Sequence, residues 1–500
     1  MGRWHVIRLF GIMSFVRTTD YLIIGAGISG LSTALHLQNL GKVTVITKGE
    51  KSKPEDYWDQ GGVAAVLTKE DRFKKHIEDT MDAGYRHANR DAVRFLVEHA
   101  PKTIRFLESI GVEFQKEPEA EVGHGEKRVW RTSDMTGADI LGKLIKNVAK
   151  SKTIEVVGQT EAVELIVRDS RCEGVYIRLG DQVELEPILA KQTILATGGL
   201  GRLYERSDSA RGMAGNGIAL AVNAGLEPRD LEFVQFHPTA LAIPDDERYF
   251  VLSEMLRVFG AKVVDSQGQA FLDQYDRRAE LAPRDVLSRA IHFESMNGKV
   301  FLDLRYFNVK EIKKHFPNVV KRLSKYGFDV TKDLIPITPV VHFSCGGIPV
   351  NLQGETKLPG LWAVGEVACT GVNGANHLPS NALLETFVFA EALGKAMERR
   401  HPLDRDRVLD EKLSAEPPQI ILEPMPQVRA YAKRIEQIMW NRVGIVRTPE
   451  NLRMALKEIT EIPARDYRIQ HRQLVAYKLI QACLARPESL GCHHISEDIV

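Results

Sequence analysis

Cysteine is scarce in this chain: five in 500 residues, at Cys172, Cys345, Cys369, Cys483 and Cys492. They are odd in number, widely spaced and form no CxxC pair, which argues against a disulfide framework and a structural zinc site and favours a reducing, cytoplasmic setting. Long apolar runs are missing as well. None approaches the roughly 20 residues that span a bilayer, so no membrane partner is expected. Nor does one sign of charge dominate: 67 Lys and Arg stand against 66 Asp and Glu, a formal net charge of +1. No global field therefore draws the chain to nucleic acid or anionic lipid.

What is present is ample material for a core, 44% hydrophobic with 27% charged residues, enough for two or three domains. The start, "MGRWHVIRLFGIMSFVRTTD", mixes basic and apolar character, but Arg8 interrupts the apolar run and no small-residue cleavage site follows. Residues 1–17 are read as a tail, with Met13 as an alternative start.

Residues 20–50, "DYLIIGAGISGLSTALHLQNLGKVTVITKGE", place a short apolar strand before Gly25, Gly27 and Gly30, then a helix with Leu31, Ala34 and Leu35 on one face, then a second strand, "VTVIT". Glycines at this turn allow close backbone approach, and the helix N-terminus offers free N–H groups to a pyrophosphate. Lys48 ends the second strand and Glu50 follows, so no ribose-binding acid is evident and NAD specificity cannot be read from it. Two further strands run into glycine turns, "QTILATGGLGRLY" and "LPGLWAVGEVACTG". Each alone reads as a core strand with a structural turn. Together with the first they suggest one long dinucleotide, such as FAD, touched by distant parts of the chain.

The segments "DQGGVAAV", "LEFVQFHPTA", "ELAPRDVLSRAI", "VVHFSCGGI" and "GANHLPSNALLE" follow in the order and approximate spacing of the succinate dehydrogenase and fumarate reductase flavoprotein superfamily. Over residues 18–495 the chain resembles most closely the L-aspartate oxidases within it. The resemblance implies an α/β fold: a Rossmann-like FAD-binding domain (18–231 and 344–405), an inserted α+β capping domain (232–343) and a C-terminal helical domain (406–500). The hairpin signal "AKVVDSQGQAFLD" supports the insertion, and the chain turns mainly helical from Val428.

The resemblance also implies site residues. For FAD these are Gly25, Gly27, Gly30, Lys48, Gln60, Gly61, Gly62, Thr197, Gly198, Gly199, Glu366, Ser380 and Leu383. The family's covalent attachment histidine has no counterpart between Lys51 and Gly62, so the FAD is expected to be noncovalent. Arg284 reads on its own as a first-turn helix residue paired with Asp285; its family counterpart transfers a proton beside the flavin. An arginine stays protonated unless it is shielded among charged neighbours. His237, before a proline, suits a loop and alone reads as structural. By resemblance it binds a substrate carboxylate, with Ser253, Arg257 and His342. Cys345 reads as a buried small hydrophobe rather than a nucleophile. Glu121 reads either as a solvated acid or, by resemblance, as the carboxylate beside a substrate ammonium.

Several positions depart from the pattern. His377 stands where the family has a carboxylate-clamping arginine, and Asn373 where the oxidases have histidine. A histidine offers two separated donors at most, charged only when protonated, and sequence does not sign its charge here. Val258 and Phe259 replace Gly-Glu and predict a bulkier, less polar wall. Leu490 replaces an arginine, and Asn216 is milder because asparagine tolerates a positive φ.

The function implied is flavin-dependent oxidation of L-aspartate to iminoaspartate, with oxygen or fumarate as acceptor. In the family this is the first step of de novo NAD synthesis, the imine passing to quinolinate synthase. The alternatives are an oxidoreductase of fumarate, succinate or another acid with an altered anchor, and a noncatalytic FAD-binding homologue. The altered positions favour these alternatives; Arg284, His237 and His342 favour a working dicarboxylate site.

Overall fold

The computed structural model describes residues 5–9, 12–50, 61–243, 248–405, 407, 409 and 417–496. Alternating apolar residues in the first long strand, Ile12–Ile24, set the layering. Leu22 and Ile24 enter one buried cluster while Tyr21 and Ile23 enter another, as the two-residue period of a strand requires. This strand lies between Val43–Ile46 and Glu186–Leu195, parallel to both. The eight-stranded sheet has Ile154–Val157 beyond the first of these and the antiparallel Arg171–Leu179 and Thr160–Arg168 beyond the second. Leu361–Ala363 joins Glu186–Leu195 in parallel, bringing a late part of the chain into the first half's sheet. Residues 5–9, within the stretch read as a tail, pair with Ile12–Val16.

Helices cover both faces. Ile28–Leu37, Arg90–Ser109, Thr136–Val148 and Asn381–Arg405 bury Leu31, Leu96, Leu144 and Phe387 against one. The C-terminal helices Met425–Val443, Pro449–Thr460 and Tyr467–Ala485 bury Ile438, Leu452 and Leu479 in the cluster of the other, around Asn216–Asn223.

Between residues 232 and 343 the chain forms a separate four-stranded antiparallel sheet, ordered Val234–Leu241, Ile335–Ser344, Val300–Asp303 and Lys262–Val264. It carries its own apolar cluster, including Leu256, Leu287 and Leu302. The expected hairpin after Val264 is reduced to a bridge between Val264 and Ala270, with Asp265 accepting from Gln267 and Gln269. Its two longest strands leave and re-enter the larger domain side by side, carrying His237 and His342, whose ring centres lie 5.4 Å apart. Among the described residues no helix is long and apolar enough to cross a membrane.

The start of Asn381–Arg405 is held from below. His76, fully buried on helix Phe73–Ala83, shares a 2.9 Å hydrogen bond with Asn381 Oδ1, while its Nδ1 has no partner. Burial first, then His124 and Arg128, bring its pKa down to about 3 from 6.5. The folded ring stays neutral where the unfolded one takes a proton, so its contribution is present above pH 6.5 and is lost as pH falls toward 3. His76→Gln should therefore flatten the acid-side decline in the unfolding free energy read from urea titrations, by about 1.4 kcal/mol per pH unit within that window; an unchanged slope would show that His76 does not titrate between the two states.

Candidate active site

One cavity of about 840 Å³ runs from the glycine turn of the large domain to the paired strands of the cap. At its far end the three fingerprint glycines have different physical reasons. Gly25 has φ +118°, and a Cβ there would sit 2.1 Å from Ala196 O. A Cβ on Gly30 would lie 1.9 Å from Gly25 O, so the helix packs on the turn at backbone distance. A Cβ on Gly27 meets no protein atom within 4 Å. Helix Ile28–Leu37, which it precedes, has no side-chain cap and no acid in its first turn. That arrangement suits a pyrophosphate.

Lys48, Thr197, Gly198, Glu366, Ser380, Leu383, Gly61 and Gly62 line the same cavity. Thr197 Oγ1 is buried without a hydrogen-bond partner. Lys48 pairs with Glu161 at 2.7 Å. Glu366 Oε1 accepts from Ser344 N at 2.8 Å under Gly199, and burial pushes its pKa up to about 7. Ser380, at φ +62°, accepts from Gly62 N at 3.0 Å. The open glycine cradle, the orphaned hydroxyl and the uncapped helix fit FAD. Gln60 and the run without histidine between residues 51 and 60 lie outside the described residues.

At the near end Arg284 begins helix Arg284–Asn297. It does not pair with Asp285, which instead accepts from Tyr85 at 2.7 Å and Arg289 at 3.1 Å. Its Nε donates to Glu254 and its Nη1 to Gln235 Oε1 at 2.8 Å. Burial works against its charge, yet Glu254 and, farther off, Glu121 and Asp208 outweigh burial and hold its pKa above the ordinary value. Arg257 Nη2 lies 3.4 Å from the same Glu254 oxygen, and its Nη1 donates to Glu280 O at 2.8 Å. Burial opposes the Glu254 charge, but Arg284 and Arg257 keep its pKa below the usual carboxylate range.

His237 is buried, and its Nδ1 accepts from Thr239 N at 3.3 Å, leaving Nε2 to carry the proton. Burial and then Arg284 push its pKa well below 6.5, so the ring is neutral. His342 Nδ1 meets Asp208 Oδ2 at 2.6 Å. Ser253 caps a short helix through Met255 N at 3.3 Å and lines the cavity. Glu121 also lines it, Oε1 accepting from Arg131 at 2.6 Å and Oε2 from Ser380.

His377 faces the cavity with neither ring nitrogen hydrogen-bonded, its ring stacked 4.6 Å from Phe343. Burial first, then Arg284 and His342, push its pKa well below 6.5. The sign left open by the sequence is thus settled: His377 is neutral.

Two expectations for the altered positions need correction. Phe259 does not wall the cavity; it turns outward, packing against His315 and Phe316 at 4.9 and 5.4 Å, while Val258 joins the cap's apolar cluster. Asn216 is helical, and the positive φ falls on Gly215 at +77°. Asn373 lies behind the lining, donating to Glu385 at 2.8 Å. Leu490 packs beside Phe233 and Phe343 in the cluster that holds Cys345, which is buried as expected. Glu254, Gln235 and Asp208 went unnoticed in the sequence, where each reads as an ordinary polar residue.

A Rossmann-type sheet with a glycine cradle and a capped cavity of fixed donors defines a flavin-dependent oxidoreductase, and the FAD binding domain family matches residues 20–383. The chain is 36% identical to the L-aspartate oxidase of Pseudomonas aeruginosa over 95% of its own length and 94% of that protein's. It is 34% identical to the chloroplastic enzyme of Arabidopsis thaliana, covering 98% and 83%. An E. coli quinol fumarate reductase structure superposes with a TM-score of 0.86 at 26% identity, covering 96% and 91%. The chain belongs to the L-aspartate oxidase family.

Two outcomes check this geometry. Gly27→Ala should leave the stability of the FAD-free protein within about 0.5 kcal/mol but weaken FAD at least about tenfold, ~1.4 kcal/mol. Gly25→Ala should destabilise the protein itself, and equal effects of the two would refute the cradle. His377→Arg should tighten succinate about tenfold, more than it tightens L-aspartate, while lowering the thermal midpoint without ligand because the new buried cation lacks a partner. Unchanged or lost succinate binding in a flavin titration would count against a weakened anchor.

Proposed function

We propose that this protein oxidises L-aspartate to iminoaspartate, with oxygen or fumarate as the final acceptor. The observation that carries the reading is a single cavity joining the glycine cradle to a cluster of donors suited to carboxylates, with the Glu121 carboxylate among the acids on its wall. FAD, bound noncovalently, supplies a two-electron acceptor for the hydride leaving the substrate's Cα.

The remaining work falls to side chains. Arg284, held charged by Glu254, binds a substrate carboxylate as a fixed cation. His237 donates Nε2–H to the same region, and Ser253 and His377 add uncharged contacts. Arg257 keeps Glu254 paired. Glu121 accepts from the substrate ammonium, a group that fumarate and succinate lack, while Arg131 and Ser380 hold it still. Such preplaced dipoles cost no reorganisation when the substrate loses charge.

An imine of this kind hydrolyses in water, so the product needs a prompt consumer. Quinolinate synthase in NAD biosynthesis is the partner we infer, and the five free, buried cysteines support a cytoplasmic setting. Anaerobic addition of L-aspartate should bleach the flavin absorbance, whereas succinate and neutral amino acids should not. Bleaching by succinate alone would overturn the aspartate assignment.

A further inference from the structure

Oxidising an amino acid requires more than a hydride acceptor. At neutral pH the substrate arrives as an ammonium, and a proton must leave nitrogen before its lone pair can support the departing hydride. The groups named so far are poorly placed to take that proton. Arg284 is held charged by Glu254 and has no lone pair to offer. His237 spends its Nδ1 lone pair on Thr239 N. His377 has no partner on either nitrogen, so nothing fixes its tautomer. Both oxygens of Glu121 are engaged, and Glu366 lies under the Gly199 turn on the cofactor side.

His342 is different. Asp208 Oδ2 accepts from its Nδ1 at 2.6 Å, so a neutral ring carries its lone pair on Nε2, the nitrogen left to the cavity that His342 lines. The backbone builds this pairing. Val341 N donates to Arg206 O at 2.9 Å and Asp208 N donates to Val341 O at 3.2 Å, which sets the aspartate beside the residue that follows Val341. Ser207 bridges Val341 in parallel, and the Asp208 carbonyl accepts from Arg248 Nε. A carboxylate that orients one imidazole nitrogen so that the other can accept a proton is the general-base arrangement of acyl-transfer triads.

We propose that His342 is the base that deprotonates the substrate ammonium and that Asp208 is the positioning residue that makes it one. This rests on the aspartate reading. The N–H bond of the ammonium breaks as Nε2–H forms; the neutral amine then expels the Cα–H electron pair and hydrogen as hydride to the flavin, leaving the protonated imine. The proton on the partly exposed His342 ring passes to solvent after product leaves. The titratable and charged groups facing this ring are Asp208, His237, His377, Glu254 and Glu366, with Arg284 acting on Asp208.

Asp208→Asn and Asp208→Ala test this by anaerobic rapid mixing. Near neutral pH both should slow bleaching by L-aspartate about a hundredfold or more, with the dissociation constant of succinate, read from the flavin spectrum, within about threefold of wild type. The defect should shrink at alkaline pH, where the amine arrives neutral, and added imidazole should restore part of the rate to His342→Ala. Unslowed bleaching near neutral pH would overturn the proposal, as would an equal defect at every pH with weakened succinate, which marks carboxylate anchoring. Wild-type protein that no amount of L-aspartate bleaches would instead remove the reading on which the base role rests. Independently of turnover, nitrogen-15 NMR of labelled histidine should find neutral His342 protonated on Nδ1; protonation on Nε2 would refute the pairing.

Discussion

Glu254 holds a negative charge where almost no water reaches, and the reacting end of the cavity is organised around keeping it paired. Arg284 donates to it from the start of a cap helix and Arg257 approaches it from its own short helix. Removing both arginines would strand a buried charge, a loss of roughly 3–5 kcal/mol where a buried pair is broken, whereas either one alone still leaves Glu254 paired. The network does not end there. The other arm of Arg284 reaches Gln235 Oε1, and the Gln235 amide donates to Asn376 Oδ1 at 2.7 Å and to His377 O at 2.9 Å. One hydrogen-bonded path thus crosses the cap, the strand leaving the large domain and the loop that closes the site. Arg284, the cation of this network that lines the cavity, is thereby fixed in advance of any ligand, while Arg257 stands behind the lining; this is how a dry site makes fixed charges count.

The cofactor half of the site was legible because its chemistry is local. Gly25, Gly27 and Gly30 sit within six residues of chain, and the strand before them and helix after them are enough to state what each must permit. Glu254 was harder. In "LSEMLR" it reads as a solvated acid three residues before Arg257, and it becomes a buried hub when helix Arg284–Asn297 packs against it from 30 residues away. Asp208 and Gln235 were invisible for the same reason, their partners being His342, Arg284 and the loop around Asn376. Phe259 failed for a geometric reason: two residues beyond Arg257 on a helical turn is nearly the opposite side, so the residue that looked like a wall faces His315 and Phe316. The C-terminal helices were readable as helices, but not their docking on the far face of the sheet, which depends on apolar faces meeting across the whole chain.

The change at His377 then has an electrostatic meaning. An arginine there would add a permanent charge to a site whose cations, Arg284 and Arg257, are already balanced in part by Glu254. Burial and the neighbouring Arg284 leave the histidine neutral instead. A site with one cation fewer disfavours every anion, but not equally: the Coulomb term scales with ligand charge, so a dicarboxylate without an amine loses more than L-aspartate, whose ammonium cancels one of its two negative charges. In the proposed function Glu121 works in the same direction, its carboxylate repelling a bare dianion and attracting an ammonium. On that proposed reading, a neutral His377 shifts the balance of the site toward the amino acid, and the departure that looks like a damaged clamp becomes a term in substrate choice.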